Sequence, residues 1–200
     1  DHGSIQQLKD KVGHFYVPLG LDNHLISWGI PKERISAFDW WQGTLAQGIE
    51  LTCAPSRHFS GRGLTDRAST LWCSWIVKGK DKNIYFSGDS GYGPHFKEIG
   101  EKHGPFDIAL LECGQYNLQW EAIHMLPEQT AQAGVDVKAD LIMPIHWGAF
   151  TLAMHTWTDP VERSTAAAHD LNIPITTPRI GEQIIVGDSL FPKSEWWEDY

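Results

Sequence analysis

The fold is decided by a hydrophobic run that stops at a glycine-rich turn, Ile84-Tyr85-Phe86-Ser87-Gly88-Asp89-Ser90-Gly91-Tyr92. Strand-forming residues with a polar turn before them and glycines after them predict a buried strand, with Asp89 at its carboxyl end. Open α/β sheets bind their ligands at that edge. The glycines on both sides leave space around the carboxylate. Asp89 is therefore either a turn residue that caps the next helix or a group that faces a ligand, and the rest of the chain decides between the two.

The composition is that of one folded domain. The chain has 200 residues, of which 42% are hydrophobic and 20% are charged, and no apolar run has the length of a membrane-spanning helix. We predict a single domain over residues 1–200. A net charge of −9 without any basic run argues against nucleic acid as a partner. Ten tryptophans and ten histidines indicate large aromatic pockets and metal or acid–base chemistry.

The cysteines indicate the compartment. Cys53, Cys73 and Cys113 are odd in number, and each lies in an apolar run. We predict buried free thiols in a reducing environment, and therefore a cytoplasmic protein. The tryptophans of the tail at 194–200 leave peripheral membrane contact open, although the negative charge disfavours an anionic surface. Homo-oligomerisation is left open as well.

Short apolar runs alternate with helical patterns along the chain, which favours an α/β fold. Besides the opening run, strands are predicted at residues 49–56, 71–78, 106–113, 139–145 and 180–186. The run at 106–113 is almost continuously apolar, as in a strand that is covered on both faces. The polar turn after residue 78 predicts a hairpin between the strand at 71–78 and the strand that leads to Asp89.

Two histidines follow predicted strands in the same way as Asp89. His58 follows the run at 49–56, and His146 comes directly after the run at 139–145. Strands of one sheet can bring such ends together although they are far apart in sequence. Imidazole and carboxylate groups hold Zn²⁺, Mn²⁺ or Fe²⁺ with positions left open for water. These three residues are candidate metal ligands, while each histidine taken alone is more often a structural residue.

His124 is the fourth candidate, in an aromatic and polar segment before a predicted helix. From such a loop it can supply a proton to a leaving oxygen, or it is an ordinary surface histidine. Trp120 and Trp147 lie near these loops and either line an apolar channel or pack in the core.

Five elements together resemble the metallo-β-lactamase superfamily, and within it the branch of N-acyl-phosphatidylethanolamine-hydrolysing phospholipase D and its bacterial relatives. The resemblance runs from about Asp1 to about Gly187. Its elements, in chain order, are Arg57-His58-Phe59, Gly88-Asp89-Ser90-Gly91-Tyr92, Gly104-Pro105-Phe106-Asp107, the loop of His124, and Pro144-Ile145-His146-Trp147-Gly148.

The resemblance implies a four-layer αββα sandwich with two divalent metal ions that share a hydroxide at one edge. Zinc is the expected metal, with manganese and iron as alternatives. By the same resemblance, His58 joins the ligands of the first ion, Asp89 bridges and orients both ions, and His146 binds the second ion. His124 matches a histidine near the scissile phosphate, which makes it a candidate acid or phosphate ligand.

The sequence departs from the family pattern in one motif. The signature His-x-His-x-Asp-His normally supplies four ligands at or before the start of this sequence. Asp1-His2 is either its final pair or, in a register that fits the following residues better, Asp1 lies two positions after the last histidine of the signature. In the second case we expect the chain to be the larger carboxyl-terminal part of the fold, without those ligands.

The expected function is a metal-dependent hydrolase, active at full length. The favoured substrate is a phosphodiester, either a phospholipid or another small molecule, cleaved by a metal-bound hydroxide. A lactone or sugar-phosphate ester of the same superfamily is the alternative substrate. A further alternative is a non-catalytic truncated chain that packs against a partner.

Overall fold

The computed structural model describes residues 2–61, 63 and 65–200. The elements, in chain order, are α1 His2–Leu8, β1 Phe15–Pro18, α2 Leu21–Ser27, β2 Ile35–Phe38, β3 Gly43–Ala46, β4 Ile49–Ala54, β5 Ser74–Lys78, β6 Asn83–Phe86, α3 His95–His103, β7 Ile108–Glu112, α4 Pro127–Asp136, β8 Ile142–Ile145 and α5 Asp159–Asp170. Two short 3-10 turns span Lys32–Arg34 and Trp196–Asp199. None of the helices in these ranges has the length and apolar character that a bilayer crossing requires.

The larger sheet is mixed and contains six strands in the order β3-β4-β5-β6-β7-β8. The strands from β3 to β6 pair antiparallel, and β6, β7 and β8 pair parallel. The predicted hairpin is confirmed as β5 and β6, and the continuous apolar run is confirmed as β7. Because two antiparallel pairings separate β4 from β6, both strands run in the same direction. The carboxyl ends of β4, β6, β7 and β8 therefore lie at one edge of the sheet.

The smaller sheet contains only β1 and β2, which pair parallel. Helix α2 packs against both of its strands, while α4 packs against β7 and β8 of the larger sheet. The two sheets meet through aromatic side chains, since the ring centroids of Phe38 and Trp75 lie 6.1 Å apart. This order of helix, sheet, sheet and helix confirms the α/β fold class and the αββα arrangement expected from the sequence.

The main core lies between the six-stranded sheet and the helices that cover it. Tyr85, Phe96, Phe106 and Leu111 are fully buried there; each such side chain contributes about 1.5–3 kcal/mol by leaving water. Gly134 lets α4 approach the sheet, because a Cβ at that position would lie 2.4 Å from a methyl carbon of Ile142. The helix that follows the His124 loop is thereby held tightly against β7 and β8.

The strand predicted at 180–186 is wrong. This segment forms turns and irregular backbone, and Ile180 is fully exposed. The outer edge of β8 is used instead by a bridge from Ile142 to Ile175. Gly181 and Gly187 each take a positive φ of 88°, so the backbone turns at both ends of the run although residues 184–186 are all apolar and β-branched.

Two of the three thiols are buried as predicted and one is only partly buried, and the tail at 194–200 packs onto the rest of the protein. Trp197 in the final turn is buried, and its ring meets Trp147 edge to face with centroids 5.6 Å apart. The tail is therefore docked by its tryptophans. The three cysteines are free thiols; Cys53 and Cys113 are buried, and Cys73 is partly buried.

Candidate functional site

Four predicted residues line one cavity at the carboxyl edge of the large sheet. His58, Asp89, His124 and His146 share a cavity of about 350 Å³. Its other walls are apolar and aromatic and come from Phe59, Trp120, Ile123 and Leu152. The sequence-based expectation that these strand ends and the His124 loop meet is therefore met by the fold.

Asp89 and His146 form the open side of the cavity. The Asp89 Oδ1 atom and the His146 Nε2 atom are 3.6 Å apart, and each side chain keeps 47% of its surface exposed. His146 has a positive φ of 72°, a left-handed conformation that costs a residue with a side chain free energy. The turn after β8 holds the imidazole in this strained position, facing the carboxylate that follows β6.

His58 has one ring nitrogen engaged and one available. Its Nδ1 lies 2.7 Å from the backbone oxygen of Phe59, and the two rings stack with centroids 4.9 Å apart. A carbonyl partner at Nδ1 orients an imidazole and leaves Nε2 free to bind a ligand, as is usual for histidines that bind metal.

A hydrogen-bond network joins the turns that carry His58 and Asp89. The Ser56 hydroxyl donates to the backbone oxygen of Asp89 at 2.9 Å, and the Arg57 N–H donates to the Ser90 hydroxyl at 3.0 Å. In return, the Gly91 N–H donates to the backbone oxygen of Arg57 at 2.8 Å. The ends of β4 and β6 therefore move together, which fixes the separation of the two candidate ligands.

Behind Asp89, the buried Ser90 lies 3.2 Å from the Nε2 atom of His95 at the start of α3. Burial and, to a smaller extent, the positive charge of Arg57 lower the pKa of His95 to about 4. His95 is therefore neutral at physiological pH and serves as part of the support for the Asp89 turn.

Glu112 is the residue that the sequence did not single out. This carboxylate ends β7 and is fully buried. Its Oε1 atom accepts a hydrogen bond from the Gly114 N–H at 2.7 Å and lies 2.9 Å from the Nδ1 atom of His124. Its Oε2 atom accepts from the Met125 N–H at 2.9 Å. A carboxylate at the end of a continuous apolar strand, at the same edge as Asp89, was the available signal.

His124 lies between the other two histidines of the cavity. Its ring stacks on His146 with centroids 5.8 Å apart and meets His58 edge to face at 5.4 Å. Burial alone would lower the pKa of His124, but the hydrogen bond and charge of Glu112 and the charge of Asp89 outweigh it and raise the pKa. A larger share of His124 is therefore protonated near neutral pH than of a free histidine.

The two tryptophans expected near the site lie in different cavities. Trp120 lines the cavity of the three histidines, with its indole N–H donating to the backbone oxygen of Gln115 at 2.9 Å. Trp147 lines a neighbouring cavity of about 490 Å³, together with Trp157 and Trp196. His146 contributes to the walls of both cavities. The cluster of three indoles could not be foreseen because it depends on the docking of the tail.

The donor types suit a divalent cation, but they make an incomplete ligand shell. His58, Asp89 and His146 offer two imidazoles and a carboxylate, which zinc, manganese and iron accept. Within residues 2–61, 63 and 65–200, however, no three His, Cys, Asp or Glu side chains are grouped closely enough to hold a metal ion. Asp1 of the possible signature pair lies outside the described residues. His2 belongs to α1, where its ring lies 5.1 Å from that of Trp28.

Comparison with known sequences adds relatives to this geometry. An uncharacterized protein of Mycobacterium tuberculosis (strain H37Rv) is 44% identical over 191 residues, which are 92% of this chain and 51% of that protein. N-acyl-phosphatidylethanolamine-hydrolyzing phospholipase D 1 of Caenorhabditis elegans is 32% identical over 148 residues, which are 69% of this chain and 42% of the worm protein. The chain thus spans about half the length of these curated relatives, or less.

Comparison with solved structures agrees on the fold. Igni18, a metallo hydrolase from the archaeon Ignicoccus hospitalis, superposes with a TM-score of 0.71 at 18% identity, over 90% of this chain and 72% of that one. The sequence profile of the beta-lactamase superfamily domain matches residues 1–147. Since that match includes the whole sheet and the three strand-end residues of the cavity, the chain belongs to the beta-lactamase superfamily.

Proposed function

We propose that the protein is a metal-dependent hydrolase that cleaves a phosphodiester. The observation that carries the proposal is the cavity in which His58, Asp89 and His146 meet beside His124. The reaction class is supported by hydrolases that share this fold. The substrate class is supported by the similarity to a phospholipase D of Caenorhabditis elegans.

We assign metal binding to the side chains of His58, Asp89 and His146, which line the same cavity. Divalent cations at that position would lower the pKa of a water molecule and neutralise the negative charge that develops on a phosphoryl oxygen. Zinc is the first choice for imidazole and carboxylate donors. Because three donors are few for two ions, we expect the 200-residue chain by itself to bind metal weakly.

We assign the proton transfer to His124. A phosphodiester releases an alkoxide, which leaves readily only if it is protonated as the bond breaks. The raised pKa of His124, which comes from Glu112 and Asp89 against the effect of burial, keeps a proton available near neutral pH. The apolar walls formed by Phe59, Trp120 and Leu152 suit a substrate whose remaining part is hydrocarbon.

The test compares two substrate classes on the full-length natural protein. Loaded in turn with zinc, manganese and iron, it should hydrolyse bis-p-nitrophenyl phosphate and N-acylated phosphatidylethanolamine faster than a panel of lactones, and a chelator should abolish this turnover. His124→Gln should reduce the turnover, whereas His169→Gln, on the exposed face of α5, should not. Turnover of lactones alone would replace the substrate class. Absence of any hydrolysis by the metal-loaded protein would reject the enzyme assignment.

A further inference from the structure

The buried carboxylate of Glu112 makes one contact more than the hydrogen bonds that hold the neighbouring backbone. It ends β7 and accepts two backbone N–H groups, one on each side of the loop that carries His124, from Gly114 and Met125. These two bonds close the loop at its base. The third contact, 2.9 Å to the Nδ1 atom of His124, joins the carboxylate to a side chain of the cavity.

The surrounding bonds hold Glu112 itself in one place. Its N–H donates to the Ser87 hydroxyl at 2.9 Å, and its backbone oxygen accepts from the Thr130 hydroxyl at 2.8 Å. A carboxylate whose backbone and oxygens are all engaged cannot turn away from the imidazole. Ser87 and Thr130 are themselves fully buried, so this part of the structure is rigid compared with the half-exposed pair of Asp89 and His146.

We propose that Glu112 is a positioning residue that keeps the Nδ1 nitrogen of His124 protonated and turns the Nε2 nitrogen toward the cavity. An ionised carboxylate has only acceptors, so the hydrogen between Glu112 and His124 belongs to the imidazole. With Nδ1 engaged, Nε2 is the ring nitrogen left for the cavity. A buried carboxylate that fixes the tautomer of a histidine plays the same part in hydrolytic triads.

The orientation of His124 stands on the hydrogen bonds alone, and only its catalytic consequence rests on the proposed function. If His124 protonates the leaving oxygen, it does so as an imidazolium: the Nε2 proton goes to the leaving oxygen, while the Nδ1 proton stays in the hydrogen bond to Glu112 and the ring is left as the Nδ1–H tautomer. The competing explanation is that Glu112 only closes the loop. In that case, substitution of Glu112 would destabilise the loop or the fold but would not change which nitrogen of the His124 ring carries the proton.

The decisive experiment is nitrogen-15 NMR of the histidine side chains in the full-length protein with a chelator present. Spectra are recorded on the alkaline plateau of the pH series, where the ring of His124 is neutral, and His124→Gln assigns the signal. We expect the wild-type ring to carry its proton on Nδ1, which is the minority tautomer of free histidine. In Glu112→Gln, where a neutral amide replaces the carboxylate, the proton should shift to Nε2 in a substantial share of the molecules.

Thr130→Val is the matched control, because it removes a buried bond to the Glu112 backbone and leaves the carboxylate in place. It should lower stability but keep the Nδ1 tautomer. A wild-type ring protonated on Nε2 would overturn the proposal even if Glu112→Gln fails to fold, and so would a folded Glu112→Gln with an unchanged tautomer.

A second measurement links the positioning to catalysis. With metal-loaded full-length protein, Glu112→Gln should lower kcat by about 10- to 100-fold with little change in KM, as for other residues that orient a functional histidine. An unchanged kcat beside the expected tautomer shift would contradict the catalytic consequence. A protein without phosphodiesterase activity would leave the tautomer result intact, so failure of this inference and failure of the proposed function are distinguishable.

Discussion

Asp89 and Glu112 stand at the ends of neighbouring parallel strands, β6 and β7, and yet their surroundings are opposite. Glu112 is fully buried and has three nitrogen neighbours within hydrogen-bond distance. The Asp89 side chain is 47% exposed, and its nearest imidazole nitrogen lies 3.6 Å away. The oxygens of a buried carboxylate must accept hydrogen bonds from protein groups, whereas the oxygens of an exposed carboxylate can bind a ligand. The carboxylate at the end of β7 thus orients a histidine, while the carboxylate after β6 is free to bind a ligand.

The largest expected effect separates these two carboxylates by stability. Glu112→Ala leaves the N–H groups of Gly114 and Met125 and the imidazole of His124 without their acceptor, which should cost about 3–5 kcal/mol of unfolding free energy. Asp89→Ala should stay within about 0.5 kcal/mol of wild type, because the side chain is half exposed. Urea unfolding at pH 7, with equal m-values, measures both. Equal losses for the two variants would show that burial does not distinguish them.

The second effect separates them by activity. In the metal-loaded full-length protein, Asp89→Asn should lower kcat/KM by about 10²–10³-fold, the size of losing one group that stabilises charge in the transition state. Because the backbone bonds of this turn remain, stability should not change. Turnover and the number of metal ions per chain are the measurements, and Asp140→Asn at an exposed position is the control. Full activity in Asp89→Asn would remove Asp89 from the site.

The contrast between the two carboxylates also explains what the sequence could predict. Asp89, His58 and His146 could be identified from the sequence because apolar runs show where strands end, and strands that run in the same direction bring their carboxyl ends to one edge of the sheet. The hydrogen bond between Glu112 and His124 could not be predicted from the sequence, because it depends on the path of a loop whose sequence has no periodicity. The false strand at 180–186 has the same origin, since a run of apolar, β-branched residues records side-chain type but not the availability of an open sheet edge.

A third effect concerns the support beneath Asp89. Burial, followed by the charge of Arg57, lowers the pKa of His95 to about 4, below its value of about 6.5 in an unfolded chain. Between these values the unfolded chain binds more protons, so stability rises with pH from 4 to 6.5 and is lost as the pH falls. The expected contribution is about 3 kcal/mol.

Acid unfolding of His95→Gln tests this assignment. The variant should lose most of the pH dependence between 4 and 6.5, because an amide does not titrate there. His169→Gln, exposed on α5, should retain the wild-type slope. If His95→Gln keeps that slope as well, another group behind the Asp89 turn is responsible for it.

The smallest expected effect comes from a third carboxylate, which is well paired but not buried. Glu128 at the start of α4 accepts two hydrogen bonds of 2.8 Å from Arg163 on α5, while the side chains remain 51% and 40% exposed. Water already solvates both groups, so Glu128→Gln should cost less than about 1 kcal/mol, and the cost should shrink in high salt. The pair of Glu98 and Lys102, exposed on α3, provides a matched comparison through Glu98→Gln. A loss in Glu128→Gln as large as that in Glu112→Ala, and insensitive to salt, would mean that the number of hydrogen bonds and not burial decides what a carboxylate contributes to this fold.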